Sequence, residues 1–384
     1  MTKRALWLLV AWLVAAQAFA RAPQGADVAP LAPLPQQIQS ALWSAQVLSR
    51  YHYRAAPLDD AMSERIFVNY VEALDGEKNF FLQSDIDRFA GARTKLDDAI
   101  LEQDLSIPFA LFNLQRQRLA ERVAYARELL KQKPDFTVKE GYPLSRKKAP
   151  WAKNEDEIRD LWRRRVKNDW LRLKLAGKDD AAIRATLDKR YENYLTRNVR
   201  MKSEDAFQVF MNAYSTAMDP HTSYLGPRAA EDFDISMRLS LVGIGAVLQE
   251  RDEYTTIREL VPGGPAALSG RLKVGDRIIG VGQGARAPVT DVLGWRIDDV
   301  VALIRGEKDT TVLLSVLPAD AGPDGRPTLI SLTRAKINIA AQAAKKSIIE
   351  AREGTTRRRI GVVSLPTFYE DFDARRKGDA NYKS

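Results

Sequence analysis

Three glycine-bearing turns within one stretch constrain the fold of this 384-residue chain more than any other feature. Val242–Leu248 reads Val-Gly-Ile-Gly-Ala-Val-Leu, a Gly-apolar-Gly loop that opens a strand. Val261–Ala267 then gives a Pro/Gly turn and a very short Ala-rich helix, and Lys273–Val281 gives a Gly-Asp turn and an apolar strand. Because glycine adopts positive φ, the first loop can turn its backbone N–H groups toward an anion.

Alternating β-branched and apolar residues surround these turns. They predict strands at Tyr254–Leu260, Arg277–Val281, Thr311–Leu317 and Thr328–Thr333, separated by Gly, Pro and Asp. One helix, at about Ile297–Ile304, interrupts them. The spacing predicts a small, partly open β-barrel with one longer helix.

The chain before this region has helical periodicity, from about residue 36 to 238. Asn154 can cap a helix that ends near Gly177. Ser203 can begin another, which Asp219-Pro220 stops. We therefore expect an all-α domain over 36–238, and the apolar stripes on its helices are most simply its core.

The first 20 residues have the pattern of a cleaved secretory signal. Lys3 and Arg4 precede an apolar run over 5–16, and Ala18-Phe19-Ala20 supplies a cleavage site. The apolar run is short for a membrane span, so we expect no stable transmembrane anchor after cleavage. Residues 21–35 carry four prolines and predict an extended linker.

The composition excludes several kinds of catalytic and metal site. The chain has no cysteine and two histidines, His52 and His221, so neither a thiolate nucleophile nor a His or Cys metal cluster is expected. We predict no metal and no cofactor. His221 is most simply a turn residue beside Asp219 rather than a catalytic base. The net charge is +9, but acids are interleaved with the basic runs, so we predict no nucleic-acid partner.

The loop, its two following turns and their order resemble a PDZ domain of bacterial C-terminal processing proteases. Three further stretches resemble the tail-specific proteases of that family: Met218–Leu225 with its Asp-Pro-His-Thr element, Asp291–Ile304, and Lys148–Glu155. The resemblance covers nearly all of the chain after residue 20. It implies a multidomain α+β protein: the all-α domain, a PDZ domain over 239–335, and the start of an α/β protease core over 336–384.

The resemblance also implies a peptide-binding site. A peptide's terminal carboxylate would lie at the loop and its backbone would pair with the adjoining strand. The residues expected there are Gly243, Ile244, Gly245, Ala246, Val247 and Leu248. The longer helix would form the opposite wall through Ile297, Val301 and Ile304. The spacing leaves open whether that face or the one with Val300 and Leu303 lines the groove.

The family cleaves peptides with a serine nucleophile and a lysine base. Both lie downstream of the strand that Arg359–Leu365 matches, a strand expected to be buried. No Ser or Lys of this chain matches those positions, so no catalytic residue is assigned, and the Ser/Lys pair is expected downstream of Ser384. We expect the core to be truncated at Ser384 and the 384-residue chain itself to be inactive.

The function implied is a periplasmic serine endopeptidase that recognises unfolded proteins by their apolar C-terminal tails, with an adaptor lipoprotein as a partner in some relatives. Two alternatives stay open. One is a non-catalytic periplasmic peptide-binding protein or adaptor, and the other is a basic scaffold for anionic cell-surface polymers. Steep salt dependence without dependence on a free C-terminus would favour the scaffold.

Overall fold

The computed structural model describes residues 28–143, 145–251, 253–321, 325–338, 343–353 and 356–379. Its contacts divide the chain into two compact units, and the division falls between Gly226 and Pro227. The predicted signal peptide, residues 1–20, and most of the linker lie outside the described residues. In the described ranges, no helix is both long enough and apolar enough to span a membrane.

The first unit is helical, as predicted. Its α-helices are α1 Pro35–Tyr51, α2 Asp60–Asp75, α3 Gln83–Arg88, α4 Leu96–Leu101, α5 Ser106–Leu129, α6 Glu155–Leu175, α7 Asp180–Val199 and α8 Ser203–Met218. The predicted cap residues lie at both ends of α6. Asn154 Oδ1 accepts a hydrogen bond from Glu157 N, at 3.0 Å, at the start of α6. Gly177, at φ +85°, follows its end.

Two apolar clusters hold these helices together, and α5 contributes to both. Phe109, Leu111 and Phe112, near its start, pack with α1, α2 and α8. Val123 and Ala126, near its end, pack with α6 and α7. The long helix therefore joins the two halves of the unit.

The second unit contains the predicted strands. Its elements are α9 Pro227–Arg238, β1 Ser240–Gly243, β2 Ala246–Arg251, β3 Tyr254–Leu260, α10 Pro265–Leu268, β4 Arg277–Gln283, β5 Thr290–Asp291, α11 Ile297–Ile304, β6 Thr311–Leu317, β7 Thr328–Thr333, β8 Ala335–Asn338, β9 Lys345–Glu353, β10 Thr356–Ser364 and α12 Phe372–Arg376. The four predicted strands and the longer helix are all present, three of the strands and the helix at the predicted bounds.

The main sheet is antiparallel and runs in the order β2-β3-β4-β6-β7, with the short β5 paired to β4. A separate two-stranded ladder joins β1 to β8, with Gly243 opposite Ala335. One apolar cluster, including Ile257, Ile278, Val300 and Leu314, fills the space between the sheet and α11. In the described ranges the sheet stays open, as the partly open β-barrel requires.

The domain bounds stay predictions, although two elements cross them. The compact second unit begins at Pro227 and so includes α9, which the sequence had placed in the helical domain. Strand β8 extends past residue 335 and pairs with β1.

The expectation of a buried strand at Arg359–Leu365 is wrong. Strand β10 covers most of it, but Ile360 and Val363 are 48% and 77% exposed. Within the described residues β10 pairs with β9 alone, in a two-stranded antiparallel hairpin. Such a hairpin has two open faces and cannot bury its own apolar side chains.

The end of the predicted protease core is not among the residues that the structure describes. Residues 380–384, including Ser384, lie outside those ranges. The expected truncation at Ser384, and the expected position of the Ser/Lys pair downstream of it, therefore stay predictions.

Candidate peptide-binding site

The predicted carboxylate loop connects β1 to β2, and its two carbonyls fix the direction of its N–H groups. Ile244 O accepts from Ala266 N at 2.8 Å, and Gly245 O accepts from Val261 N at 2.9 Å. In a trans peptide the C=O and the next N–H point in opposite directions. The N–H groups of Gly245 and Ala246 therefore point away from the Val261–Ala266 turn.

Gly245 adopts φ +73°, which favours glycine. Its contacts add a second requirement, because a Cβ built there would lie 3.0 Å from Gly264 Cα and 3.2 Å from Ile337 Cδ1. A side chain at Gly264 would be equally crowded, since a Cβ built there would lie 3.1 Å from Gly245 Cα. The two glycines thus allow the loop and the Pro/Gly turn to approach each other.

Strand β2 leaves this loop at the edge of the main sheet. It pairs with β3, from Ala246 opposite Leu260 to Arg251 opposite Tyr254, with an irregularity at Val247/Leu248. Among the described residues no strand occupies its other edge. Leu248 is half-buried against the core beside α11. A peptide strand could add to this edge with its C-terminus at the loop.

Helix α11 separates the candidate wall residues. Ile297 and Val301 are half-buried, whereas Ile304 is 4% exposed and belongs to the apolar core with Val300. Ile304 therefore differs from the grouping expected from spacing. The reason is that Val300 and Ile304, four residues apart, form the stripe that faces the sheet. The face available to a peptide is that of Ile297 and Val301.

Arg334, which the sequence did not single out, caps α11. Its guanidinium is buried; Nε donates to Ile304 O at 2.8 Å, and Nη2 donates to Leu303 O at 3.0 Å and Gln283 Oε1 at 2.7 Å. Burial lowers the pKa of Arg334 from its usual value. The carbonyl end of α11 offers the negative pole of a helix dipole to this cation. In sequence Arg334 is one basic residue between two strands, with no signal for this role.

The Asp-Pro-His-Thr element forms a turn in the first unit, as predicted for His221. Asp219 Oδ1 accepts from His221 N at 2.9 Å, and His221 Nδ1 lies 3.1 Å from the same oxygen. Asp219 Oδ2 accepts from the Tyr53 hydroxyl, and this bond first and the His221 N–H second hold the pKa of Asp219 well below its usual value.

His52 joins the same turn. Its Nε2 lies 2.8 Å from Thr222 Oγ1, and its Nδ1 accepts from Arg54 N at 3.1 Å. His52 thus connects the end of α1 to the Asp-Pro-His-Thr turn, whereas the hydrogen bonds of His221 stay within that turn. No group of three His, Asp or Glu side chains in the described residues is placed to hold a metal.

Comparisons with known proteins match both units. The family model described as the tail specific protease N-terminal domain matches residues 44–228, and the PDZ domain model matches residues 233–317. The tail-specific protease of Haemophilus influenzae is 40% identical over 367 residues, which are 94% of this chain and 52% of that protein.

Two shorter matches are to carboxy-terminal processing proteases. The carboxy-terminal processing protease CtpA of Bacillus subtilis is 36% identical over 104 residues, which are 27% of this chain and 21% of that protein. A crystal structure of the PDZ domain of the carboxy-terminal protease from Vibrio cholerae, in complex with peptide, is 58% identical. It covers 26% of this chain and 99% of that one, with a TM-score of 0.25.

Proposed function

The chain belongs to the tail-specific protease family, and from that premise we propose that it is the substrate-recognition part of a C-terminal processing serine endopeptidase. The resemblance stated from the sequence is confirmed by the two family models and the Haemophilus relative. The chain spans about half the length of that relative, 52%. The activity of the whole enzyme is therefore part of the proposal.

The observation that supports tail recognition is the orientation of two successive N–H groups, those of Gly245 and Ala246. They leave the loop on the side opposite Val261 and Ala266, beside the open edge of β2. Two adjacent N–H donors suit a carboxylate, which has two acceptor oxygens. The terminal side chain would then lie against Leu248 and the Ile297–Val301 face, which favours apolar residues.

In this proposal the 384-residue chain binds tails and does not cleave them. No Ser or Lys of this chain matches the Ser/Lys pair that the family uses. Substrates would be unfolded periplasmic proteins with apolar C-termini, and an adaptor lipoprotein would be a further partner. The alternative, a non-catalytic peptide-binding protein, uses the same groove.

One experiment tests binding and the absence of cleavage together. The purified chain is mixed with an unfolded carrier protein that ends in an apolar tail, and with the same carrier ending in two aspartates. We expect a complex with the first carrier only, and no fragments by mass spectrometry. Equal binding of both carriers would contradict tail recognition. Fragmentation that persists through repurification and changes with a mutation in this chain would contradict the assignment of a recognition part.

Export is proposed on the signal pattern of residues 1–20. Cleavage after Ala20 would leave a mature N-terminus at Arg21. We expect the intact mass of the protein from a periplasmic extract to correspond to a chain that begins at Arg21. A mass that includes residues 1–20 would indicate an anchored protein instead.

A further inference from the structure

Helix α9 is attached to α11 by two ion pairs of opposite polarity. Arg228 Nη2 lies 2.6 Å from Asp299 Oδ1, and Asp232 Oδ1 accepts from Arg305 Nη1 at 2.8 Å. Glu231 Oε1 lies 3.9 Å from the same Arg305 nitrogen. The cation is on α9 in the first pair and on the α11 side in the second. This alternation fixes the direction in which α9 lies along α11.

The two pairs hold both ends of α11. Asp299 is in its first turn, and Arg305 directly follows its last residue. Arg228 and Asp232 are four residues apart and therefore share one face of α9. One face of α9 thus spans the length of the shorter helix.

The pairs act on α11 from behind the groove. Asp299 lies two positions from both Ile297 and Val301, about 200° around the helix from each, given 3.6 residues per turn. Its side chain is 14% exposed. A restraint on Asp299 therefore fixes where the Ile297–Val301 face lies, while that face stays available to a ligand.

Helix α9 is also continuous with the other wall of the groove. It ends at Arg238, and Leu239 connects it directly to β1 and the carboxylate loop. Leu239 is fully buried and adopts φ +50°, a conformation that costs a non-glycine residue energy and persists only where packing requires it. Helix α9 is thus attached to α11 by ion pairs and to the carboxylate loop by the covalent connection through Leu239 and β1.

We propose that α9 is a clamp helix that sets the spacing between α11 and the carboxylate loop, and thereby the affinity of the groove for C-terminal peptides. This inference depends on the proposed function of the groove. It assigns Arg228, Asp232, Asp299 and Arg305 as positioning residues that act through α11.

A charge swap at Asp232 and Arg305 tests the clamp in the full chain. Asp232→Arg or Arg305→Glu places like charges together, and D232R/R305E restores opposite charges in exchanged positions. The probe is a fluorescent peptide with an apolar C-terminal residue and a free carboxylate, titrated by anisotropy. Exposed pairs contribute little each, so each single variant should weaken binding roughly two- to fivefold. The double variant should bind within about twofold of the original chain.

Lys308→Glu is the matched control. It changes the net charge as Arg305→Glu does, and Lys308 pairs with Asp309 at 3.6 Å rather than with α9. We expect its affinity to be unchanged. The milder Arg228→Gln and Asp232→Asn keep the test decisive if a reversed variant fails to fold. Affinity unchanged in the single variants, or not recovered in the swap, would overturn the proposal.

Hydrogen–deuterium exchange separates failure of the clamp from failure of the groove assignment. It is measured without peptide, on amides of residues 297–304. The single reversals should raise the exchange rate of the α11 amides severalfold, and the swap should restore it. If α9 restrains α11 but the groove does not bind peptides, the exchange rates will change in this way while neither the original chain nor any variant binds the probe. Unaltered exchange in the reversed variants would exclude the clamp whether or not peptide binds.

Discussion

At the residue scale, the carboxylate loop depends on Gly245. A positive φ turns its peptide groups so that both carbonyls meet the Val261–Ala266 segment and both following N–H groups point outward. The close contact with Gly264 adds a demand on volume, independent of the demand on φ. The glycine pattern could be read from the sequence, but Gly264 as its contact could not, because the contact forms between two turns.

Gly263 supplies a matched comparison for Gly245. It has a similar φ, +77°, but a Cβ added there meets nothing within 4 Å. Alanine at either position costs about 1–2 kcal/mol of backbone strain. Gly245→Ala adds a clash with Gly264, so we expect it to weaken peptide binding at least tenfold, and Gly263→Ala to leave binding unchanged. Isothermal titration calorimetry of both variants checks this, and equal losses would mean that backbone strain alone is responsible.

Asp219 is a second residue whose hydrogen-bond partners determine its role. Its carboxylate is 4% exposed and accepts hydrogen bonds from the Tyr53 hydroxyl and the His221 N–H. The sequence predicted the turn at Asp219-Pro220 and the structural role of His221. It gave no indication that Tyr53, more than 160 residues earlier, would be the partner.

The lowered pKa of Asp219 predicts a pH dependence of stability. A carboxyl whose pKa is lower in the folded state stabilises the fold above its unfolded pKa, about 3.9, and loses that contribution as pH falls further. Asp219→Asn should therefore lower the melting temperature at pH 7 and have a smaller effect at pH 3. The exposed Glu64→Gln serves as the control. A melting-temperature difference that is the same at both pH values would contradict this account.

At the element scale, the ends of several helices and strands could be predicted from the turn-forming residues beside them. Helix α11 and strands β3, β6 and β7 have the predicted ends, because Gly, Pro and Asp mark the turns between them. The buried face of α11 could not be predicted from the sequence. Spacing grouped Ile304 with Ile297 and Val301, whereas the sheet beneath α11 receives Val300 and Ile304. That choice depends on how the helix is docked, which periodicity over eight residues leaves undetermined.

Arg334, which caps α11, is the residue at this scale whose substitution should lower the free energy of unfolding most. Arg334→Met keeps much of the side-chain volume but leaves the Leu303 and Ile304 carbonyls without this donor. Charged hydrogen bonds of this kind contribute about 1.5–3 kcal/mol each, so we expect a loss of at least 2 kcal/mol in unfolding free energy. Arg271→Met removes an exposed guanidinium that donates to Leu329 O, and should cost under about 1 kcal/mol. Urea unfolding distinguishes them, and equal losses would argue against α11 capping.

At the scale of the whole molecule, the order of a helical region and an open antiparallel β domain could be predicted, because the two have different hydrophobic periods. The state of β10 could not. Its apolar run is typical of a buried strand, but burial depends on what packs against it, and in the described residues only β9 pairs with it. Short apolar runs predict a strand more reliably than they predict its neighbours.

The most direct test of tail recognition compares two forms of one peptide on the full chain. A labelled peptide with an apolar C-terminal residue is titrated as the free acid and as the C-terminal amide, by fluorescence anisotropy at fixed ionic strength. The Gly245 and Ala246 N–H groups are oriented to bind a carboxylate, and a charge-assisted hydrogen bond contributes about 1.5–3 kcal/mol. We therefore expect the amide to bind roughly ten- to a hundredfold more weakly than the acid. Equal affinity of the two forms would show that the loop is not a carboxylate site.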